Sequence, residues 1–102
     1  MQFVLNGRLY DTETATRIGT YTDNALYRDM YYMEDTLYRK DNGEYFILRE
    51  GGPATYLGYQ SGPREWSSGW EVISYKPDEA KEWAAQHLSY EDYSDEFGPV
   101  NE

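Results

Sequence analysis

The chain has 102 residues, no cysteine, 12 tyrosines and a formal net charge of −10. This length predicts a single domain spanning residues 1–102, and the lack of cysteine excludes disulfides, thiolate nucleophiles and Cys-ligated metal sites. The negative charge opposes direct contact with a nucleic-acid backbone, so the expected partner is a basic protein. No membrane contact and no cofactor are expected.

The start of the chain predicts strands. Residues 2–10 are predicted as strand, with or without a full hairpin. Asn6-Gly7 lies between two apolar runs there, which is typical of a tight hairpin turn because both residue types tolerate positive φ. Residues 14–22 are rich in β-branched residues and Tyr, which favours another strand. Residues 23–35 are predicted as a short helix or an irregular loop, because three apolar side chains fall on one helical face. They are Leu26, Met30 and Met33.

Residues 36–50 form the clearest predicted element, a hairpin around Asn42-Gly43. A two-residue turn there pairs Lys40 with Tyr45, Tyr38 with Ile47 and Leu37 with Leu48. In this register one face, expected to line the core, carries Leu37, Phe46 and Leu48. The other face carries Tyr38, Lys40, Tyr45 and Ile47.

The second half of the chain changes from loop to strand to helix. Residues 51–69 contain five Gly and two Pro, which predicts a long loop with a short strand at residues 54–59. Residues 70–76 alternate in polarity as a strand does. Pro77 then starts an amphipathic helix over residues 77–88. Its apolar stripe consists of Ala80, Trp83, Ala84, His87 and Leu88.

A short acidic helix is predicted from the last segment, "SYEDYSDEFG". Ser89 is the expected N-cap with Asp92 three residues later, and Gly98-Pro99 is the expected stop. The spacing of its aromatic residues predicts a buried face of Tyr90, Tyr93 and Phe97. The complete fold prediction is α+β: an antiparallel sheet of about four to five strands, a C-terminal amphipathic helix and this short acidic terminal helix.

Most of the charge imbalance lies in the predicted helices. Residues 77–102 hold eight acidic residues and one basic residue, Lys81. The acidic side chains of the two helices are therefore the predicted partner-binding residues: Asp78, Glu79, Glu82, Glu91, Asp92, Asp95 and Glu96. A charge run is also common on a purely solvated helix face. The alternative interface is the aromatic, Gly-rich side around Tyr56, Tyr59, Trp66 and Trp70.

Catalytic chemistry has few candidates in this sequence. His87 is the only imidazole, and its place on the apolar stripe favours packing over general-base catalysis. Carboxylate pairs such as Glu79 with Glu82 lack the loop pattern of a calcium site, so no metal site is predicted. Residues 1–15 lack the features of a signal peptide and no stretch approaches 18 apolar residues, which predicts a cytoplasmic protein.

Four stretches resemble small acidic proteins encoded by phages and bacterial mobile elements. They are "NGRLYDTETA" (6–15), "LYRKDNGEYFILREGGPATY" (37–56), "EAKEW" (79–83) and "YSDEFG" (93–98). The proteins of this group resemble anti-CRISPR proteins. The resemblance implies a non-enzymatic inhibitor in the bacterial host cytoplasm that imitates DNA and blocks a type I surveillance complex. Lys76 precedes Pro77 where the family has a Ser cap, which weakens only the helix start.

Three functions follow from these patterns. The first is the DNA-mimic inhibitor, whose carboxylates occupy a basic nucleic-acid-binding groove of a CRISPR effector subunit. The second is an antitoxin, an immunity protein or another interaction module that binds a basic partner. The third is a small enzyme with a carboxylate pair. The shortage of catalytic residue types favours a protein that is not an enzyme.

Overall fold

A computed structural model describes residues 1–23 and 30–101 and has the α+β fold that the sequence predicts. The strands are β1 (Gln2–Leu5), β2 (Arg8–Asp11), β3 (Thr16–Asp23), β4 (Met33–Arg39), β5 (Tyr45–Gly51), β6 (Tyr59–Gly62), β7 (Glu65–Ser67) and β8 (Gly69–Tyr75). The helices are α1 (Pro77–His87) and α2 (Tyr90–Phe97). The main sheet is antiparallel with the strand order β3-β4-β5-β8, while β1-β2 and β6-β7 form separate two-stranded sheets.

The strand predicted at residues 2–10 is confirmed and forms a full hairpin. Asn6 (φ 52°) and Gly7 (φ 75°) both adopt left-handed conformations between β1 and β2. Two consecutive positive φ values give the turn a twist that matches the strands on either side. The short loop therefore sets the register in which Leu5 faces Arg8.

The second hairpin has a longer turn than the two-residue turn predicted from its sequence. The backbone N–H of Gly43 donates to the Lys40 carbonyl (2.9 Å), and the Lys40 N–H donates to the Glu44 carbonyl (2.7 Å). Gly43 has a φ of 89°, so the loop is the three-residue kind that ends in a left-handed glycine. The pairs are Arg39 with Tyr45, Tyr38 with Phe46 and Leu37 with Ile47. The predicted pairs were wrong by one residue.

This one-residue difference also corrects the predicted faces, because adjacent strand residues point to opposite sides. Leu37, Tyr45 and Ile47 lie together beneath the helices in the main core. Phe46 instead lies on the opposite face, where its ring contacts Tyr38 (5.1 Å) and Tyr10 of β2 (5.3 Å between centroids). Both faces are thus covered, and the apolar run in β5 does not mark which face is the core.

Two further segments differ from their predictions. The loop predicted at residues 51–69 contains the β6-β7 hairpin, and the strand predicted at 54–59 begins only at Tyr59. The preceding residues are turns, in which the Gly58 N–H donates to the Thr55 carbonyl (3.0 Å). The short helix or irregular loop predicted at residues 23–35 is wrong at Met33, which begins β4. Leu26 lies outside the described residues.

Both predicted helices are confirmed, and their starts are capped. The Glu79 carboxylate accepts the N–H of Lys76 (2.9 Å), which replaces a side-chain cap at the start of α1. Ser89 Oγ accepts the N–H of Asp92 (3.2 Å), and Gly98 (φ 88°) ends α2. The helices contribute four buried residues to the core: Ala80, Trp83, Ala84 and Tyr93. Within the described residues, no helix is both long enough and apolar enough to cross a membrane.

Two glycines allow a direct test of this fold. A Cβ at position 69 would lie 2.0 Å from the Leu57 carbonyl oxygen, whereas a Cβ at position 43 would meet nothing within 4 Å. We expect Gly69→Ala to destabilise the protein by about 3 kcal/mol or more, because backbone must move. Gly43→Ala should cost about 1–2 kcal/mol, since only the left-handed backbone is strained.

Urea unfolding measures both changes, with Gly43→Asn as the control that tolerates a positive φ. Equal midpoints for Gly69→Ala and the parent would contradict the close approach of the 53–58 turn to β8. A Gly43→Asn variant as unstable as Gly43→Ala would contradict the left-handed conformation of residue 43.

Candidate functional site

Six of the seven predicted partner-binding carboxylates are exposed on α1 and α2. They are Asp78, Glu79, Glu82, Glu91, Asp92 and Asp95. None of the six forms a salt bridge with a Lys or Arg within residues 1–23 and 30–101. We call this set the acidic helix face.

Helix stability explains the positions of only some of these carboxylates. Asp78, Glu91 and Asp92 lie in first helical turns, where negative charge is favourable because it faces the positive end of the helix dipole. Glu82 and Asp95 have no such benefit. They follow Asp78 and Glu91 by four residues, a like-charge spacing that costs about 0.2–0.5 kcal/mol for each pair. Exposed, unpaired carboxylates at these two positions are therefore not explained by helix stability.

Glu96 has a different role from the other acidic residues. Its side chain is only 9% exposed and forms a salt bridge with Arg39. Its second carboxylate oxygen accepts a hydrogen bond from the Tyr45 hydroxyl (2.5 Å). These contacts join the C-terminal turn of α2 to β4 and β5. The sequence groups Glu96 with the other predicted partner-binding carboxylates, but the strands place a cation and a hydroxyl directly beneath it and enclose its side chain.

The same contacts raise the pKa values of Tyr45 and Arg39. Burial and the hydrogen bond to Glu96 raise the pKa of Tyr45 to about 12. The hydrogen bond to Glu96 also raises the pKa of the Arg39 guanidinium. Tyr45 therefore stays neutral and Arg39 stays charged, as the hydrogen bonds to Glu96 require.

One predicted aromatic anchor of α2 is exposed. Tyr93 is buried and Phe97 packs against Tyr45 (5.7 Å between ring centroids), as predicted. Tyr90 is 59% exposed, and its hydroxyl accepts the N–H of Val100 (3.3 Å). It stands at the first position of α2, where its ring lines a surface cavity with Leu88 and Val100. The predicted burial of Tyr90 was wrong.

A polar row that the sequence analysis missed crosses the main sheet. Strand pairing aligns Tyr21, Asp35, Arg49 and Glu71 on four neighbouring strands. Arg49 binds Asp35 through two hydrogen bonds, Nε to Oδ1 (2.7 Å) and Nη2 to Oδ2 (3.0 Å), and its Nη1 contacts Tyr56 (3.1 Å). The bond to Asp35 raises the pKa of the Arg49 guanidinium. Its charge is satisfied within the fold.

His87 borders this polar row and packs as the sequence predicts. Its ring lies 4.2 Å from that of Tyr21 and 5.3 Å from that of Trp83. A cavity of about 230 Å³ separates it from Asp35 and Arg49. No three His, Asp or Glu side chains of the described chain are grouped so as to hold a metal ion.

The aromatic alternative interface is also exposed. Tyr56, Tyr59, Trp66 and Trp70 are all classed among the exposed large apolar side chains. Two of them have polar partners within the fold: Tyr56 hydrogen-bonds Glu71, and Trp70 Nε1 donates to Met1 Sδ (3.1 Å). The freer part of this surface is therefore Tyr59 and Trp66 on the β6-β7 hairpin.

Comparisons of the chain with protein-family models, with curated proteins and with solved structures found no match.

The contrast between Glu96 and its neighbour Asp95 is testable. Glu96→Gln leaves Arg39 without its carboxylate, so we expect a loss of about 1–3 kcal/mol in the free energy of unfolding. Asp95→Asn removes an exposed charge and should change stability by less than about 0.5 kcal/mol. Chemical denaturation of the two variants measures the difference. Equal stabilities would contradict the structural role of Glu96.

The raised pKa of Tyr45 predicts that the protein loses stability at alkaline pH. Its pKa is raised from 10.0 to about 12 in the folded state. The folded state holds this proton more tightly than the unfolded chain, so the contribution is present below pH 10 and declines as the pH rises towards 12. Urea midpoints across this range should fall less steeply for Tyr45→Phe than for the parent. Parallel curves would show that Tyr45 does not carry the effect.

Proposed function

We propose that the protein is a non-enzymatic inhibitor that binds a basic, nucleic-acid-binding surface and competes there with the nucleic acid. The observation that carries this proposal is the acidic helix face, whose six exposed carboxylates lack cationic partners in the described part of the chain. Lys81 is the one Lys or Arg in the two helices, so their surface is predominantly negative and attracts positive charge over a distance of about 8–10 Å at moderate salt.

Helix geometry gives these carboxylates a repeat that a phosphate-binding surface can accept. Side chains four residues apart, such as Asp78 and Glu82, are separated by about 6 Å along the axis, because the helix rises about 1.5 Å per residue. Duplex DNA carries one charge per about 1.7 Å of axis. A cation of the target that normally contacts a phosphate can therefore contact a carboxylate that lies within a few ångströms of the phosphate position. Arg and Lys bind either anion through the same N–H donors.

The helices hold the acidic face in place before binding. Trp83 and Ala84 of α1 and Tyr93 of α2 are buried on the sheet, and Glu96 is bound to Arg39 and Tyr45. Side chains on a rigid scaffold lose less conformational entropy on association than those on a loop. The fold therefore favours a binding surface that does not have to reorganise.

The family resemblance supplies the class of target within this proposal. It implies a type I CRISPR surveillance complex, whose DNA-binding groove the acidic face would occupy. An antitoxin or immunity protein would use the same face against a basic toxin. The two functions differ in what is displaced, because only the first releases target DNA from its complex.

The test uses purified type I surveillance complexes and labelled target duplex in a gel-shift assay. We expect the parent protein to prevent duplex binding and to do so less well at high salt. The charge-removal variant is Glu91→Gln, Asp92→Asn and Asp95→Asn, which leaves Glu96 in place. Loss of three exposed ion pairs should weaken inhibition about tenfold or more.

The matched control removes three exposed carboxylates elsewhere, with Glu13→Gln, Asp41→Asn and Glu65→Gln. It has the same net charge as the charge-removal variant and should inhibit within about twofold of the parent. Equal weakening of both variants would show that net charge, rather than the acidic helix face, matters. Failure of the parent to inhibit any complex tested would overturn the proposed target.

A further inference from the structure

A small cavity opens between α1 and the end of β8. It has a volume of about 240 Å³ and is lined by Tyr75, Glu79, Glu82, Trp83 and Gln86. The four helical residues follow a spacing of three, four and seven, which places them on one side of α1. Tyr75 is the last residue of β8 and closes the other wall. The cavity thus lies next to the acidic helix face and shares two of its carboxylates.

The lining combines two aromatic rings with two acids. Glu82 has no hydrogen bond or salt bridge to any described residue, and Glu79 uses only one oxygen, Oε1, for the N–H of Lys76. Burial raises the pKa of the Tyr75 hydroxyl, and the charge of Glu79 adds to the rise. These features give the cavity a negative potential beside apolar ring surfaces.

Trp83 lines the cavity, while its indole N–H is enclosed in the fold. Its side chain is only 6% exposed, yet its Nε1 has no hydrogen-bond partner in the described chain. Buried indole N–H groups usually find an acceptor. A guanidinium has only donors and would not pair with this N–H, so the N–H serves below only as a reporter of changes around the Trp83 ring.

We propose that this cavity binds the guanidinium group of an arginine side chain on the protein partner. A planar guanidinium stacks on aromatic rings and donates pairs of hydrogen bonds to carboxylates, which fits the rings of Tyr75 and Trp83 and the acids at 79 and 82. The volume is below the usual 300–1,000 Å³ of small-molecule sites, so it suits one side chain better than a metabolite.

This inference rests on the proposed function, since it names one contact that a basic partner makes. Arginine is favoured over lysine because the ammonium group is compact and strongly hydrated, and cannot use both rings and both acids in one plane. None of the chain's own described cations lines the cavity.

The first experiment titrates N-acetyl-arginine methylamide into the ¹⁵N-labelled full chain, up to tens of millimolar. The readout is the indole N–H signal of Trp83, assigned with Trp66→Phe and Trp70→Phe variants. We expect a saturable shift confined to the Trp83 signal and to residues around the cavity. The citrulline analogue, which is isosteric but uncharged, should give no saturable shift, and the lysine analogue a weaker one. No shift at Trp83, or equal shifts with citrulline, would overturn the proposal.

The second experiment repeats the titration with matched variants. Glu82→Gln should weaken binding of the arginine probe about tenfold, because it removes the carboxylate that has no other partner. Tyr75→Phe keeps the ring and should bind within about twofold of the parent, whereas Tyr75→Leu should bind more weakly. Glu91→Gln is the control for loss of one charge outside the cavity. Thermal unfolding verifies that every variant is folded before its affinity is interpreted.

The outcomes separate the two proposals. Specific arginine binding at the cavity, combined with no competition against DNA on any surveillance complex, would preserve the cavity and overturn the proposed function. Inhibition of a complex by the parent and equally by Glu82→Gln would preserve the function and overturn the cavity as a contact site.

Discussion

The register between β4 and β5 determines which side chains lie beneath the helices. Gly43 closes a three-residue loop, and this places Leu37 opposite Ile47 in the core. The same register sets Arg39 beside Tyr45, directly under the end of α2. A shift of one residue would turn one of the two strands over and separate these pairs. The attachment of the acidic helices to the sheet therefore depends on the turn that joins β4 to β5 next to Arg39 and Tyr45.

The attachment also explains how the chain tolerates repulsion on its surface. Like-charge pairs one turn apart cost a few tenths of a kcal/mol each, and Asp95 lies towards the unfavourable end of the helix dipole. The contacts of Glu96 with Arg39 and Tyr45 act at that same end of α2, with the carboxylate almost fully enclosed. One carboxylate thus stabilises the helix, while its neighbours remain free to contact other molecules.

Local signals in the sequence were sufficient for the elements whose ends are set by their own residues. Asn6-Gly7, Pro77 and the Ser89 cap each act within a few residues, so the turn signal in the first strand region and both helices were predicted correctly. The register of the second hairpin was not, because "DNG" is compatible with loops of two or three residues. The apolar run of β5, buried on both faces, gave no alternation that could decide between them.

Two features of the site could not be predicted without the correct register between β4 and β5. Glu96 resembles Asp95 along the chain, and only the positions of Arg39 and Tyr45 show that it points inward. The polar row of Asp35 and Arg49 is likewise visible only when β4 and β5 are paired correctly. Exposure of the other carboxylates could be predicted from helical spacing, since it needs no information about distant residues.

Charge alone explains attraction better than it explains selectivity. Exposed ion pairs contribute at most about 1 kcal/mol each and weaken with salt, so an acidic face mainly raises the rate of encounter with any basic surface. Discrimination among basic partners requires a contact whose geometry can be satisfied or missed. The cavity lined by Tyr75, Glu82 and Trp83 would provide such a contact on our proposal, because its occupant must suit both aromatic rings and carboxylates. On these proposals, the open helix face governs association and the cavity governs how long the correct partner stays bound.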